Sequence, residues 1–141
     1  MSQYYDLGDE TLWNPSNGAA RLFHCQVALF EAELGVPSGI GPMENDECQI
    51  DPAALGSFAE ALVARYGLTG HTVIRALSEG FVATVLVLAE RAGVRVNWPR
   101  PPAGSPEGAR DVQVPLPGSC ESLAESALRA FARELSRRMP R

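Results

Sequence analysis

Four stretches of this chain set apolar residues at steps of three and four, and glycine or proline stands at the borders of each. Ala20, Phe23, Val27, Phe30 and Leu34 make the first, and Leu55, Phe58, Leu62 and Tyr66 the second. Ile74, Leu77, Phe81, Val85 and Leu88 make the third, and Ala124, Leu128, Phe131 and Leu135 the fourth. A helix turns once per roughly 3.6 residues, so this spacing gathers the side chains on one stripe, whereas a half-buried strand would alternate. The expectation is a mainly α fold: a small helical domain of about four helices, with a Pro-rich connection before the last. The 141 residues suit one domain. Its helical core should span 12–93, the connection 98–118 and the C-terminal helix 119–139. Phe23, Val27, Phe30, Leu62, Leu77, Phe81 and Leu88 are the expected core.

The borders carry local chemistry. Asn14-Pro15-Ser16-Asn17 offers several N-caps and a proline suited to a first turn, and Asp51-Pro52 repeats the device. Gly35 to Pro42 should stop the first helix in a rigid connection, Gly67 should end the second helix, and Thr69 can cap the third. Residues 98–118 hold six prolines, which leaves room for a short strand at Asp111–Val114 at most. Phe81–Leu88 has strong β propensity, and VRVNW could pair with it. An α+β fold with a hairpin at 81–98 is therefore the alternative. Helix is favoured because the spacing runs unbroken from Ile74.

Charge divides the chain. Residues 1–60 carry ten carboxylates and one Arg, whereas residues 61–141 carry eleven Arg and seven carboxylates. Such asymmetry suggests surfaces of opposite sign that attract a partner or each other. The densest acidic run is MENDECQID at 43–51, and Arg129, Arg133 and Arg137 recur every four residues. The run suits an exposed loop, and the arginines suit the solvated face of an amphipathic helix. The first helix has Leu22 and Leu29 well off its main stripe, which fits a helix that is either central in its own fold or partly covered by a partner. There is no Lys, and abundant Ala and Arg point to a GC-rich genome.

The opening MSQYYDLGDE is acidic and lacks the apolar centre of a signal peptide. The apolar run Gly80–Ala89 is about half of the roughly 20 residues a membrane span needs. A cytoplasmic protein without membrane contact is expected. Cys25, Cys48 and Cys120 are then reduced thiols.

Catalytic and metal templates fit poorly. His24-Cys25, Glu44, Asp46 and Cys48 are metal-ligand types, but adjacent helical residues diverge and no second ligand pair follows. The same divergence separates Cys25 from a His24 base, and no Ser stands in a G-x-S-x-G elbow. Gly39-Ile40-Gly41 lacks the third glycine of a dinucleotide loop. No cofactor and no metal are expected.

Leu62–Gly80, LVARYGLTGHTVIRALSEG, resembles the helix-turn-helix segment of bacterial transcription regulators. The resemblance rests on Tyr66-Gly67-Leu68-Thr69 at the turn and on Thr72, Val73, Arg75, Ala76 and Leu77 beyond it. It implies a second helix in the major groove, with His71, Thr72 and Arg75 reading bases. Val63 stands where that family has Ala, Gly70 weakens the helix start, and only Arg65 and Arg75 are basic. YYDLGDETLWNPSNGAARLF and GIGPMENDEC are similar to small uncharacterised proteins of Streptomyces-like actinobacteria, a resemblance over roughly the first 95 residues that transfers no activity.

The favoured expectation is a non-enzymatic, acidic protein-interaction module, immunity- or adaptor-like. Glu44, Asp46, Glu47 and Asp51 would meet a protein partner, basic in character, with oligomerisation left open and nucleic acid not expected. A helix-turn-helix DNA-binding regulator is the alternative, and an enzyme with a dispersed site is the third reading.

Overall fold

The computed structural model describes residues 2–98 and 120–141. The elements run β1 (Tyr4–Leu7), β2 (Glu10–Trp13), α1 (Asn17–Leu34), β3 (Glu47–Gln49), α2 (Pro52–Leu68), α3 (Thr72–Arg91) and α4 (Cys120–Arg138). The protein is mainly α, with one three-stranded sheet.

Each described helix end has a local cause. Ser16 caps α1 by accepting from the Ala19 amide, and Gly35, at φ 65°, closes it by donating to the Glu31 carbonyl. Asp51 caps α2 through the amides of Ala53 and Ala54, with Pro52 at the first position. Leu68 continues α2 one residue past Gly67. The cap of α3 is His71 rather than Thr69: its Nδ1 accepts from the Ile74 amide at 3.4 Å. The Thr69 hydroxyl instead accepts from the His71 amide, inside the turn.

The sheet has strand order β2-β1-β3. A two-residue turn at Gly8-Asp9 joins β1 to β2, and Gly8 takes φ 61° there. β3 lies parallel to β1, with Cys48 opposite Tyr5. The acidic opening thus forms a hairpin, and part of the 43–51 segment is a strand rather than a loop. No hairpin forms at 81–98. Residues through Arg91 are helical, and 94–98 follow without regular structure. The expected strand at 111–114 and the connection over 99–118 lie outside the described residues.

α3 is the hub. Phe81 stacks on Phe30 at 4.6 Å between ring centres and meets Phe23 at 5.5 Å and Phe58 at 6.3 Å. Tyr5 and Trp13 of the sheet stack at 5.1 Å and extend this aromatic core through Phe23. Val82, Val85, Val87, Leu88 and Ala89 are buried, and α4 adds Leu128, Ala132 and Met139. Arg91 fastens three elements at once. Its guanidinium donates to the carbonyls of Leu12, Ser136 (2.8 Å) and Met139 (2.9 Å), the last two being acceptors that the end of α4 leaves without intrahelical partners. α4 therefore docks on its own chain.

Phe23, Val27, Leu62, Phe81 and Leu88 are core as expected, and Phe30 is half-buried. Leu77 is not core: 75% of it is exposed, although it shares a stripe with Phe81. Among the described residues nothing packs over α3 one turn before Phe81. Phe131 is likewise exposed, and α4 buries Leu128, Ala132 and Met139 instead.

Candidate functional site

The acidic segment is a rigid turn. Glu44 and Glu47 exchange backbone hydrogen bonds of 2.8 and 2.9 Å, and Asn45 and Asp46 between them take φ 52° and 67°. Two successive left-handed residues make a primed hairpin turn, a conformation that Asn and Asp tolerate better than most side chains. The Asp46 carbonyl accepts from the Tyr4 amide at 2.8 Å, which pins the turn to β1. The connection before it is equally fixed. Ser38 donates its amide and hydroxyl to the Glu31 carboxylate at 2.8 and 2.6 Å. Gly39, at φ 73°, has no room for a side chain, since a Cβ would stand 2.5 Å from the Asp51 carbonyl oxygen.

The four acidic residues proposed from sequence divide by role. Glu44 and Glu47 are exposed. Asp46 is half-buried, its carboxylate accepting from the Gln3 amide at 3.4 Å. Asp51 is taken up by its cap on α2. Beneath the turn Cys48 is buried with its thiol on the Gly41 carbonyl, and burial pushes that thiol up to about 11.

Beside the turn, Gln3, Arg21, His24, Cys25, Ala28 and Met43 border an open groove of about 640 Å³ along α1. Cys25 is exposed there, while His24 lies against the Tyr5 ring at 5.4 Å. Burial lowers the His24 pKa from its ordinary value, and its Nε2 has no hydrogen-bond partner. The two neighbours are turned to different surroundings, and among the described residues no group of three metal-ligand side chains assembles. Leu22, 64% exposed, and Leu29, 57% exposed, flank Cys25 at helical spacing. Together with Ala32 they form a bare apolar stripe next to the groove.

The helix-turn-helix residues sit at the α2–α3 corner. Thr72 is exposed. His71 caps α3, and Arg75 folds back to donate to the Gly67 carbonyl at 3.2 Å with its guanidinium 5.7 Å from the Tyr66 ring centre. The large apolar side chains exposed there are Leu68, Val73, Ile74 and Leu77. Apolar residues thus stand where phosphate contacts would require cations.

The Arg face of α4 does not reach the acidic turn. Arg129 pairs with Glu125, and Arg137 and Arg138 pair with Glu134, all within the helix. Among the described residues only Arg65 to Glu33 and Arg141 to Glu10 join the two charge halves.

This chain belongs to the DUF6086 family. The family model matches residues 1–141, and its description is a family of unknown function. No curated protein and no solved structure matches the chain. Function in this DUF6086 member therefore has to be argued from its surfaces. Sequence reasoning passed over Arg21, Cys25, Ala28 and Met43 as one surface, because α1 and the 43–47 turn meet only in three dimensions. The hairpin that carries the turn did have a signal: Gly8-Asp9 between the β-prone runs YYDL and ETLW.

Proposed function

We propose that this protein is a non-enzymatic, cytoplasmic interaction module, immunity- or adaptor-like, that captures a basic segment of a protein partner. The supporting observation is the placement of the rigid acidic turn beside the open α1 groove and its bare Leu22–Leu29 stripe. Apolar ground of this kind, with the exposed Glu44 and Glu47 beside it and Arg21 on its border, suits an amphipathic segment that is mainly basic. The carboxylates would set the association rate and partner choice, and the apolar ground the lifetime of the complex. A turn already fixed by backbone hydrogen bonds loses little conformational entropy on binding. The DNA-binding reading has less support, because His71 and Arg75 are engaged inside the α2–α3 corner.

The test is affinity capture from the native cell, with and without nuclease. Wild type should retain a stoichiometric, nuclease-resistant protein, with recovery falling as salt rises. Glu44→Arg with Glu47→Arg should lose it while melting normally, since both side chains are exposed. Leu29→Asp should lose it too, but with little salt dependence. Asp46 is left unchanged, because Arg in a left-handed conformation would add strain of its own. Equal capture by the reversed variant, or a nuclease-sensitive pool, would end this reading.

A further inference from the structure

A second groove, of about 580 Å³, runs between the end of α3, residues 93–98 and α4, and it shares no residue with the α1 groove. Arg95, Arg129 and Arg133 converge on it from separate parts of the chain. Among the described residues, neither Arg95 nor Arg133 has a carboxylate within ion-pair distance. Arg129 is aimed by Glu125 and lies over the Trp98 ring, 4.9 Å from its centre. Among the described residues, the buried Trp98 indole Nε1 has no acceptor. The backbone here is held in place: Val94 donates to the Ala89 carbonyl, and Asn97 donates its amide and side chain to the Glu60 carboxylate at 3.2 and 2.8 Å. Leu86, Val94 and Val96 supply an apolar wall, and Glu90 is the one carboxylate among the lining residues.

Like charges gathered in a cleft with low-dielectric walls focus field lines and draw in counter-ions. A guanidinium fork matches phosphate oxygens two at a time, which makes Arg the residue suited to holding that group. The apolar wall has no use for inorganic phosphate, but it can receive a flat organic body. Glu90 would repel a uniformly anionic ligand and can accept a hydrogen bond from a ligand amine or hydroxyl. From this division of the groove we infer that it binds a small phosphorylated ligand with a flat, hydrogen-bond-donating body, the chemistry of a nucleoside diphosphate. The volume falls within the range of about 300–1,000 Å³ usual for such ligands.

The experiment titrates ADP and, separately, pyrophosphate while following tryptophan fluorescence. Trp98 borders the groove and Trp13 is buried in the core, so Trp98→Phe identifies the reporting ring. ADP should give a saturable change that vanishes in Trp98→Phe, binds more tightly than pyrophosphate and weakens with salt. Arg95→Ala with Arg133→Ala should weaken ADP by about tenfold or more. Both side chains are exposed, so the melting temperature should hold. Absence of a saturable response, a response that persists in Trp98→Phe, equal affinity for pyrophosphate and ADP, or unchanged affinity in the double variant would each overturn the assignment.

Discussion

The two halves of α3 have the same apolar spacing and opposite surroundings. From Phe81 to Ala89 the helix lies under α1, α2 and α4, with seven residues buried. From Thr72 to Gly80 none is buried, although Val73, Ile74 and Leu77 are as apolar as their successors. By length and composition α3 would pass for a membrane span, yet its second half is the core of this fold. Periodicity in a sequence thus identifies which side chains share a face. How far a covering layer extends along that face depends on where other elements end.

The sharpest way to break this comparison is to truncate one large apolar side chain on each side of the boundary. Phe81→Ala should cost about 3–5 kcal/mol, because a buried phenyl leaves a cavity that three neighbouring rings border. Leu77→Ala, one turn earlier on the same stripe, should change stability by less than about 0.5 kcal/mol. Urea midpoints of the two variants make the measurement. Comparable losses would mean that Leu77 is covered in solution and that the halves do not differ.

The cover itself hangs on Arg91. Arg91→Met keeps the alkyl stem but strands the carbonyls of Leu12, Ser136 and Met139. The expected loss is about 2–4 kcal/mol, given what unpaired buried acceptors and bonds to charged donors are worth. Amide exchange should rise first in residues 128–139, since α4 is the element released. Unchanged protection there would show that apolar contact alone holds α4.

Covered and bare ground also differ in their thiols. Cys25 is exposed, whereas Cys48 is fully buried with its titration pushed up to about 11. An unfolded thiol loses its proton near pH ~8.5, so above that point the unfolded chain binds fewer protons than the folded one. Stability from this group is complete below about pH 8.5 and falls as pH rises toward about 11. The decline is on the order of 3 kcal/mol. Cys48→Ala lowers stability at every pH but should flatten the slope between about pH 9 and pH 11. Equal slopes in variant and wild type would refute the assignment. Native-state labelling should modify Cys25 quickly and Cys48 only after unfolding.

The legible part of this fold was local. Caps at Ser16 and Asp51, the stop at Gly35 and the stripes on α1 and α2 follow from neighbours within one or two turns, and the sequence carries them openly. The sheet was less legible because its strands are only three or four residues long, too short for alternation to register. The parallel pairing of Tyr5 with Cys48 also spans some forty positions, a distance no turn signal bridges. Leu77 misled for the reason given above. The acidic run was legible as a charged surface. That Asp46 is tied to Gln3 and Tyr4 while Glu44 and Glu47 stay exposed depended on the turn meeting the start of the chain, some forty positions away. The arginine groove was invisible in the fourfold spacing of Arg129, Arg133 and Arg137, because Arg95 and Trp98 arrive from a separate stretch of chain.

The smallest expected effect lies at the bare end of α3, where Arg75 decides between two accounts of the corner. Its guanidinium closes the last turn of α2 through the Gly67 carbonyl and rests near the Tyr66 ring. One exposed-edge hydrogen bond and one weak cation–π contact are together worth about 0.5–1.5 kcal/mol. Arg75→Ala should therefore lower stability by that amount, and Arg75→Lys should recover part of it, since an ammonium can still reach the carbonyl. Neither change should alter duplex affinity, because on this account there is none at physiological salt. A recognition helix makes the opposite demand: its base-reading Arg stays free in the unbound protein, so its removal leaves stability untouched and abolishes a sequence-selective complex. Melting curves and a duplex titration on the same three proteins separate these outcomes. A salt-dependent complex lost in Arg75→Ala without a change in melting would make the bare half of α3 a DNA-reading surface.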